Sequence, residues 1–168
     1  GLLVDETTNK NNSVIELREN EYNTNVVFRL SKLPQKGVDV KIAVDESYAA
    51  TYNAVHETDF EVFPAANVKI AYDGNFVLAP DDKVTPSVKV TLTAFEGMKE
   101  DQTYIIPLTA TSSTEGVTFT ETSKHMVLLV KDYRNIPNTD KGKNAVQTVL
   151  YFEINDTNPL NALEFLTE

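Results

Sequence analysis

The chain has 168 residues, no cysteine, and a net charge of −10 from 15 basic and 25 acidic side chains. The absence of cysteine excludes disulfide scaffolds, thiolate metal sites and cysteine nucleophiles. An acidic surface repels phosphate groups, so nucleic acid and anionic membrane are not expected as partners. Membrane insertion by this segment is not expected either. No apolar run reaches the roughly 20 residues that a membrane-spanning helix needs, and the first residues show no signal-peptide pattern.

Alternating apolar and polar residues predict short β-strands along most of the chain. The clearest rows lie at 26–30, 38–44, 88–93, 104–110 and 126–130, and weaker ones at 14–17, 68–72, 76–78 and 117–120. This pattern predicts an all-β fold, an antiparallel β-sandwich with one short helix and a C-terminal strand extension. Seven side chains are predicted to form the buried inner rows: Phe28, Val40, Ile42, Val90, Leu92, Ile106 and Leu128.

One segment interrupts the strand pattern. Ser47 is a helix-capping residue type, and Tyr48, Tyr52 and Val55 follow it at helical spacing. We expect one or two helical turns here, plugging one end of the sandwich.

The end of the chain differs from the rest. Residues 134–143 combine proline, glycine and charged residues and are typical of a linker. The apolar run that follows suits a strand buried on both faces, as in a parallel sheet or barrel. We therefore predict a sandwich at 1–133, a linker at 134–144 and the truncated start of a barrel-like domain at 145–168. This tail either folds back along its own sandwich or pairs with a neighbouring chain, and we favour the neighbouring chain.

Two segments resemble known bacterial families. The tail carries Glu153 followed by Asn155-Asp156-Thr157-Asn158-Pro159-Leu160-Asn161. It resembles the first barrel strand and loop of chitinase-type (family 18) glycoside hydrolases from Bacteroidetes. Residues 44–46, 51–54, 63–64 and 104–108 together resemble the Bacteroidetes domain of unknown function family 1735, an immunoglobulin-like N-terminal domain of exported proteins.

The resemblances imply a non-catalytic accessory domain of an exported glycan-processing protein. It would act as a spacer, docking or interaction module at the cell surface or in the periplasm, through a lipoprotein anchor absent from this chain. The implied partners are glycans, surface proteins and a C-terminal catalytic-type domain. Two alternatives stay open: a carbohydrate-binding module, and the N-terminal piece of a chitinase-type endo-β-N-acetylglucosaminidase that lacks its active site.

Candidate catalytic and metal-binding residues are few. The chitinase-type hydrolases use an Asp-Gly-x-Asp-x-Asp-x-Glu motif, but here Asp73-Gly74 is followed by residues without carboxylates, so a hairpin turn explains the pair better. His56 and His125 are interpreted as structural or solvated, although sequence alone does not exclude a triad. Asp81-Asp82 with Asp73 and Asn75 could bind calcium, but solvated turns are favoured. We predict no catalytic residue, cofactor or metal.

Sugar-binding modules present aromatic faces to pyranose rings. The chain has no tryptophan but seven tyrosines and eight phenylalanines. Four of them are candidate glycan-contacting residues: Tyr48, Tyr52, Tyr72 and Phe95. The alternative is that these rings fill the core of the sandwich.

Overall fold

The computed structural model describes residues 14–30, 33–81, 87–121, 123–137, 147–152 and 154–156, without the side chains of 28–30 and 147–156. The elements are β1 (Val14–Leu17), β2 (Glu21–Leu30), β3 (Val38–Val44), α1 (Tyr48–His56), β4 (Glu61–Val62), β5 (Val68–Ile70), β6 (Asn75–Leu78), β7 (Val88–Thr93), β8 (Thr103–Thr111), β9 (Val117–Phe119), β10 (His125–Asp132), β11 (Gln147–Phe152) and β12 (Ile154–Asp156). Short 3-10 turns lie at Ala65–Asn67 and Ala71–Gly74. Within this described part, no helix is long and apolar enough to cross a membrane.

The strands form two main sheets. One has the order β1-β10-β8-β3-β6 with β4 also paired to β8, and the other has the order β11-β2-β7-β5. A separate two-stranded pair joins β12 to β9. The described strands make six antiparallel pairs and three parallel ones, β1–β10, β4–β8 and β11–β2. The predicted all-β sandwich is confirmed, and the parallel pairs are an addition to the antiparallel pattern.

The core lies between the inner faces of the two sheets. The predicted inner rows are confirmed, because each described member is at most 4% exposed: Val40, Ile42, Val90, Leu92, Ile106 and Leu128. The side chain of Phe28 lies outside the described residues. The alternation of apolar and polar residues predicted these rows correctly, because successive side chains of a strand point to opposite faces and one face packs in the core.

The central strands β8 and β10 are buried on both faces. Ile105 and Leu129 belong to the outward rows, and they pack with Ala49 of α1 in a second cluster. The helix therefore covers the outer face of the six-stranded sheet, and the predicted plug at the end of the sandwich is wrong. The small Ala49 side chain sits on the sheet, whereas Val55, predicted on the helical row, is 70% exposed.

The C-terminal tail folds back onto its own chain. Strand β11 runs parallel to β2, in register from Gln147 opposite Asn25 to Phe152 opposite Leu30. Strand β12 then pairs with β9. The structure thus shows the fold-back, and our preference for pairing with a neighbouring chain is wrong. The apolar run correctly indicated a strand, and the proposed domain boundaries stay a prediction.

A chain ending at residue 140 tests this fold-back. We expect it to remain a monomer, like the full chain, but to unfold at lower denaturant concentration. Removing β11 takes the hydrogen-bonding partner from β2, and each lost bond contributes about 0.5–1.5 kcal/mol. Light scattering measures the mass, and urea unfolding measures the stability. A full chain that is dimeric and becomes monomeric on shortening would instead support strand exchange.

Candidate functional site

Two surfaces carry the polar and aromatic residues of interest. The first, the helix ledge, consists of Tyr48, Tyr52, His56 and His125. Tyr48 stacks on His125 with ring centroids 3.9 Å apart, and Tyr52 stacks on His56 at 4.0 Å. Residues four apart share one helix face, so α1 places both tyrosines and His56 side by side. One face of each tyrosine ring is therefore taken up by an imidazole of the same chain.

Both tyrosines of the helix ledge keep their phenol protons at neutral pH. Burial raises the pKa of Tyr48 above its ordinary value, with a smaller effect from Glu121. Burial also raises the pKa of Tyr52, helped by the neighbouring Tyr48. The two hydroxyls are therefore available as hydrogen-bond donors.

His125 belongs to a polar network that links three elements. Its Nδ1 lies 2.9 Å from Thr109 Oγ1, and the Thr109 hydroxyl donates to Asp45 Oδ2 at 3.1 Å. Ser47 does not cap the helix with its side chain; its hydroxyl donates to Asp45 Oδ1. The hydrogen bond from Ser47 is the largest cause that lowers the pKa of Asp45. The lowered pKa favours the ionised carboxylate, and the Thr109 hydroxyl bridges it to the His125 ring.

This network is not arranged as a catalytic triad. A triad places the imidazole between the carboxylate and the nucleophilic hydroxyl, so that the imidazole can take the hydroxyl proton. Here the Thr109 hydroxyl lies between Asp45 and His125 and already donates to the carboxylate. The geometry agrees with a structural role for His125. His56 is exposed, and its Nδ1 lies 3.1 Å from the Tyr52 carbonyl oxygen, within the same helix.

The second surface, the edge turn, is the segment Ala71–Gly74. It joins β5 of the four-stranded sheet to β6 of the six-stranded sheet. The predicted Asp73-Gly74 hairpin is therefore wrong: the segment is a turn, but it crosses between sheets. Tyr72, Asp73 and Gly74 all have positive φ, at 57°, 56° and 81°. Asn75 Nδ2 supports the turn by donating to the carbonyl oxygens of Tyr72 and Asp73, at 3.2 and 3.4 Å.

A cleft of about 270 Å³ opens beside the edge turn, between β3 and β5. Lys41 Nζ donates to the Asp73 carbonyl oxygen at 2.9 Å and lies 3.4 Å from Asp73 Oδ2. The other lining residues all have apolar side chains: Ile42, Ala43, Val44, Ala65, Val68 and Ile70. Sequence reasoning missed Lys41, because it lies 32 residues from Asp73 and reads as an ordinary solvent-facing strand residue.

The four candidate aromatics are not brought together. Tyr48 and Tyr52 form the helix ledge, and Tyr72 stands in the edge turn with 84% of its surface exposed. Phe95 packs against the core, edge-on to Phe63 at 5.2 Å and to Tyr104 at 5.1 Å. Packing of this kind fits a core-filling role for Phe95. Whether any of the four contacts a glycan stays a prediction.

The calcium alternative gains no geometric support. Asp82 lies outside the described residues, and Asp73 and Asn75 bind Lys41 and the turn backbone. Among the residues whose placement is described, no three His, Asp or Glu side chains come close enough to hold a metal ion.

Comparisons with known proteins place the chain among N-terminal domains. A family model described as an N-terminal domain matches residues 2–117. No curated protein matches the chain in sequence. Among solved structures, EndoBT-3987 of Bacteroides thetaiotamicron, crystallised with a Man5GlcNAc product, is 37% identical with a TM-score of 0.68, over 77% of this chain and 30% of that one.

Further solved structures also match the chain. EndoBT-3987 with a Man9GlcNAc2Asn substrate matches at 30% identity and a TM-score of 0.44, over 69% of this chain and 25% of that one. An inferred carbohydrate-binding protein from Bacteroides ovatus matches at 21% identity and a TM-score of 0.62, over 71% of this chain and 34% of that one. This last likeness shows the fold alone. The chain spans about a third or less of each of these proteins.

Proposed function

The chain belongs to the family of N-terminal domains whose model matches residues 2–117, and from that membership we propose that it is a non-catalytic accessory domain of an exported glycan-processing protein. The observation that carries the proposal is the 37% identity with EndoBT-3987, of which the match covers only 30%. EndoBT-3987 itself is crystallised with glycan product and substrate. A domain that accompanies such chemistry suits a spacer, docking or interaction role.

The finer parts of the proposal come from the sequence. The resemblance to family 1735 supports export, a lipoprotein anchor and a position at the cell surface or in the periplasm. The resemblance of residues 153–161 to chitinase-type hydrolases supports a catalytic barrel as the C-terminal neighbour. Surface proteins and glycans are the partners that this arrangement suggests.

The local chemistry of the edge turn supports a non-catalytic role. The Asp73-Gly74 pair, which opens the chitinase-type motif, has a structural explanation here. A Cβ on Gly74 would overlap the Ile42 carbonyl oxygen, so glycine is needed for the turn to approach β3. The Asp73 carboxylate lies 3.4 Å from Lys41 Nζ in an exposed ion pair, so the charged group beside it is a lysine and not a second carboxylate of the hydrolase motif.

We expect the isolated chain to hydrolyse no glycosidic bond. The test incubates it with a chitobiose-derived chromogenic substrate and with Man9GlcNAc2Asn, using EndoBT-3987 as the positive control. Release of chromophore or of free glycan above the buffer background, by protein free of contaminating enzyme, would refute the non-catalytic role. It would equally contradict the alternative of an endo-β-N-acetylglucosaminidase piece that lacks its active site.

A second candidate function is that of a carbohydrate-binding module. The observation that favours it is the exposed ring of Tyr72, whose neighbour in the chain, Asp73, lines a cleft with both polar and apolar groups. Ligand sites combine apolar walls with a few oriented polar groups, and this cleft has both.

A further inference from the structure

We propose that the edge turn and the adjoining cleft form a subsite for one neutral pyranose ring, with Tyr72 as its stacking platform. The inference rests on the proposed glycan-related function and deepens it. Tyr72 lies in the chain between the cleft residues Ile70 and Asp73, so its backbone lies beside the cleft.

The backbone of Tyr72 is unusual for its side chain. A bulky residue with φ near +57° is a conformational outlier, and such strain persists only where the surroundings impose it. Here Gly74 packs directly against Ile42, and Asn75 holds two carbonyl oxygens of the turn. These contacts hold the backbone of the turn in place before any ligand arrives, which reduces the ordering that binding requires.

The ring itself is free to bind. Tyr72 is 84% exposed, so folding removes little of its ring from water and the ring contributes little to the stability of the fold. The other three candidate aromatics are less exposed: the tyrosines of the helix ledge stack on histidines, and Phe95 packs in the core. The face of an aromatic ring carries negative charge density, which attracts the weakly positive C–H groups of a sugar ring.

The polar groups of the subsite suit hydroxyls. The side chain of Asp73 is 93% exposed, so its carboxylate can accept hydrogen bonds from two neighbouring hydroxyls of a sugar. Lys41 is half exposed and can donate to ring or hydroxyl oxygens.

Charge selects a neutral ligand. The ammonium of Lys41 lies 3.4 Å from the Asp73 carboxylate, so the two charges largely cancel. The chain as a whole carries a net charge of −10 and repels anions. Uronic acids and sugar phosphates are therefore disfavoured. The cleft volume of about 270 Å³ is smaller than that of common ligand pockets and suits a single ring.

The test is calorimetric titration of the whole chain with Man5GlcNAc and with N,N′-diacetylchitobiose, each up to about 10 mM, a range in which weak one-ring contacts register. At least one of the two probes is expected to bind. Tyr72→Gly should weaken that binding about tenfold or more, a loss of about 1.4 kcal/mol, because it removes the ring. Its melting temperature should not fall, because glycine accepts the positive φ and the ring is exposed.

Matched variants separate the subsite from the helix ledge. Tyr72→Phe keeps the ring and should retain affinity within about twofold, since stacking needs no hydroxyl. Val55→Ala changes another largely exposed apolar residue, on α1, and should leave binding unchanged. Tyr52→Ala removes a ring of the helix ledge and should also leave it unchanged.

Three outcomes overturn the subsite: no binding of either probe, binding that Tyr72→Gly leaves intact, or binding that Tyr52→Ala abolishes instead. None of these outcomes contradicts the accessory role, which fails only if the isolated chain hydrolyses its substrates. The binding experiment therefore tests the subsite, and the hydrolysis experiment tests the accessory role, independently of each other.

Discussion

Truncating Ile106 or Leu128 to alanine is expected to lower the free energy of unfolding by about 2–5 kcal/mol each. Both side chains are almost completely buried in the main core. They lie directly opposite each other on β8 and β10. Each truncation removes the transfer free energy of the lost methyl groups and leaves a cavity that central strands cannot easily close. Urea unfolding followed by far-ultraviolet circular dichroism gives the change in free energy.

The control for this experiment is Val77→Ala on β6. Val77 is 56% exposed, so its truncation should change stability by no more than about 0.5 kcal/mol. Because Ile106 and Leu128 face each other, their effects should not be additive. The loss of unfolding free energy in the double variant should differ from the sum of the two single losses. A loss below half a kcal/mol at both core positions would mean that the inward face has been misassigned.

The strands were predictable because a sandwich buries one face of most strands. Alternation then reports both the strand and its inner row, as in β3, where Val40 and Ile42 are buried and Lys41 lies between them on the outer face. The pattern carries less information where both faces are buried. Ile105 and Leu129 belong to continuous apolar segments in β8 and β10. These segments did not predict that α1 would cover their outer face.

The sequence predicted where in the chain the helix lies but not which surface of the sandwich it packs against. Spacing identified Tyr48 and Tyr52 as residues of one face, and α1 contains both. The buried residue of α1 is Ala49, which packs against Ile105 and Leu129, and its small side chain did not stand out in the sequence. The tail shows the same limit. Its apolar run indicated a strand, but the choice between β2 and another chain depends on contacts more than a hundred residues apart.

The candidate site lies mostly beyond the reach of sequence reasoning. The Asp45–Thr109–His125 network joins residues 64 and 16 positions apart, and the Lys41–Asp73 pair joins residues 32 apart. No motif links such residues, because only the sheet pairing brings them together. Tyr72 was a candidate on residue type alone. Its exposure and its positive φ are properties of the crossing between sheets, which the Asp-Gly pair suggested only as a turn.

Gly74→Ala is expected to be among the most damaging single substitutions in the chain. The residue has φ of +81°, a conformation that disfavours any side chain, and a methyl group there would overlap the Ile42 carbonyl oxygen. The obstacle is backbone in the central part of β3, so it cannot move aside like the end of a flexible side chain. Backbone strain and overpacking contribute about 1–3 kcal/mol each, so we expect a loss of about 2–6 kcal/mol in unfolding free energy.

Gly97→Ala is the matched control for this effect. Gly97 has φ of +87°, but a methyl group there meets no described atom within 4 Å. It therefore carries the conformational penalty alone, about 1–2 kcal/mol. The difference between the two losses, measured by urea unfolding, isolates the contact between the edge turn and β3. Equal losses would mean that the turn moves away from β3 without resistance. In that case the fixed position of Tyr72, on which the sugar subsite depends, would lose its physical basis.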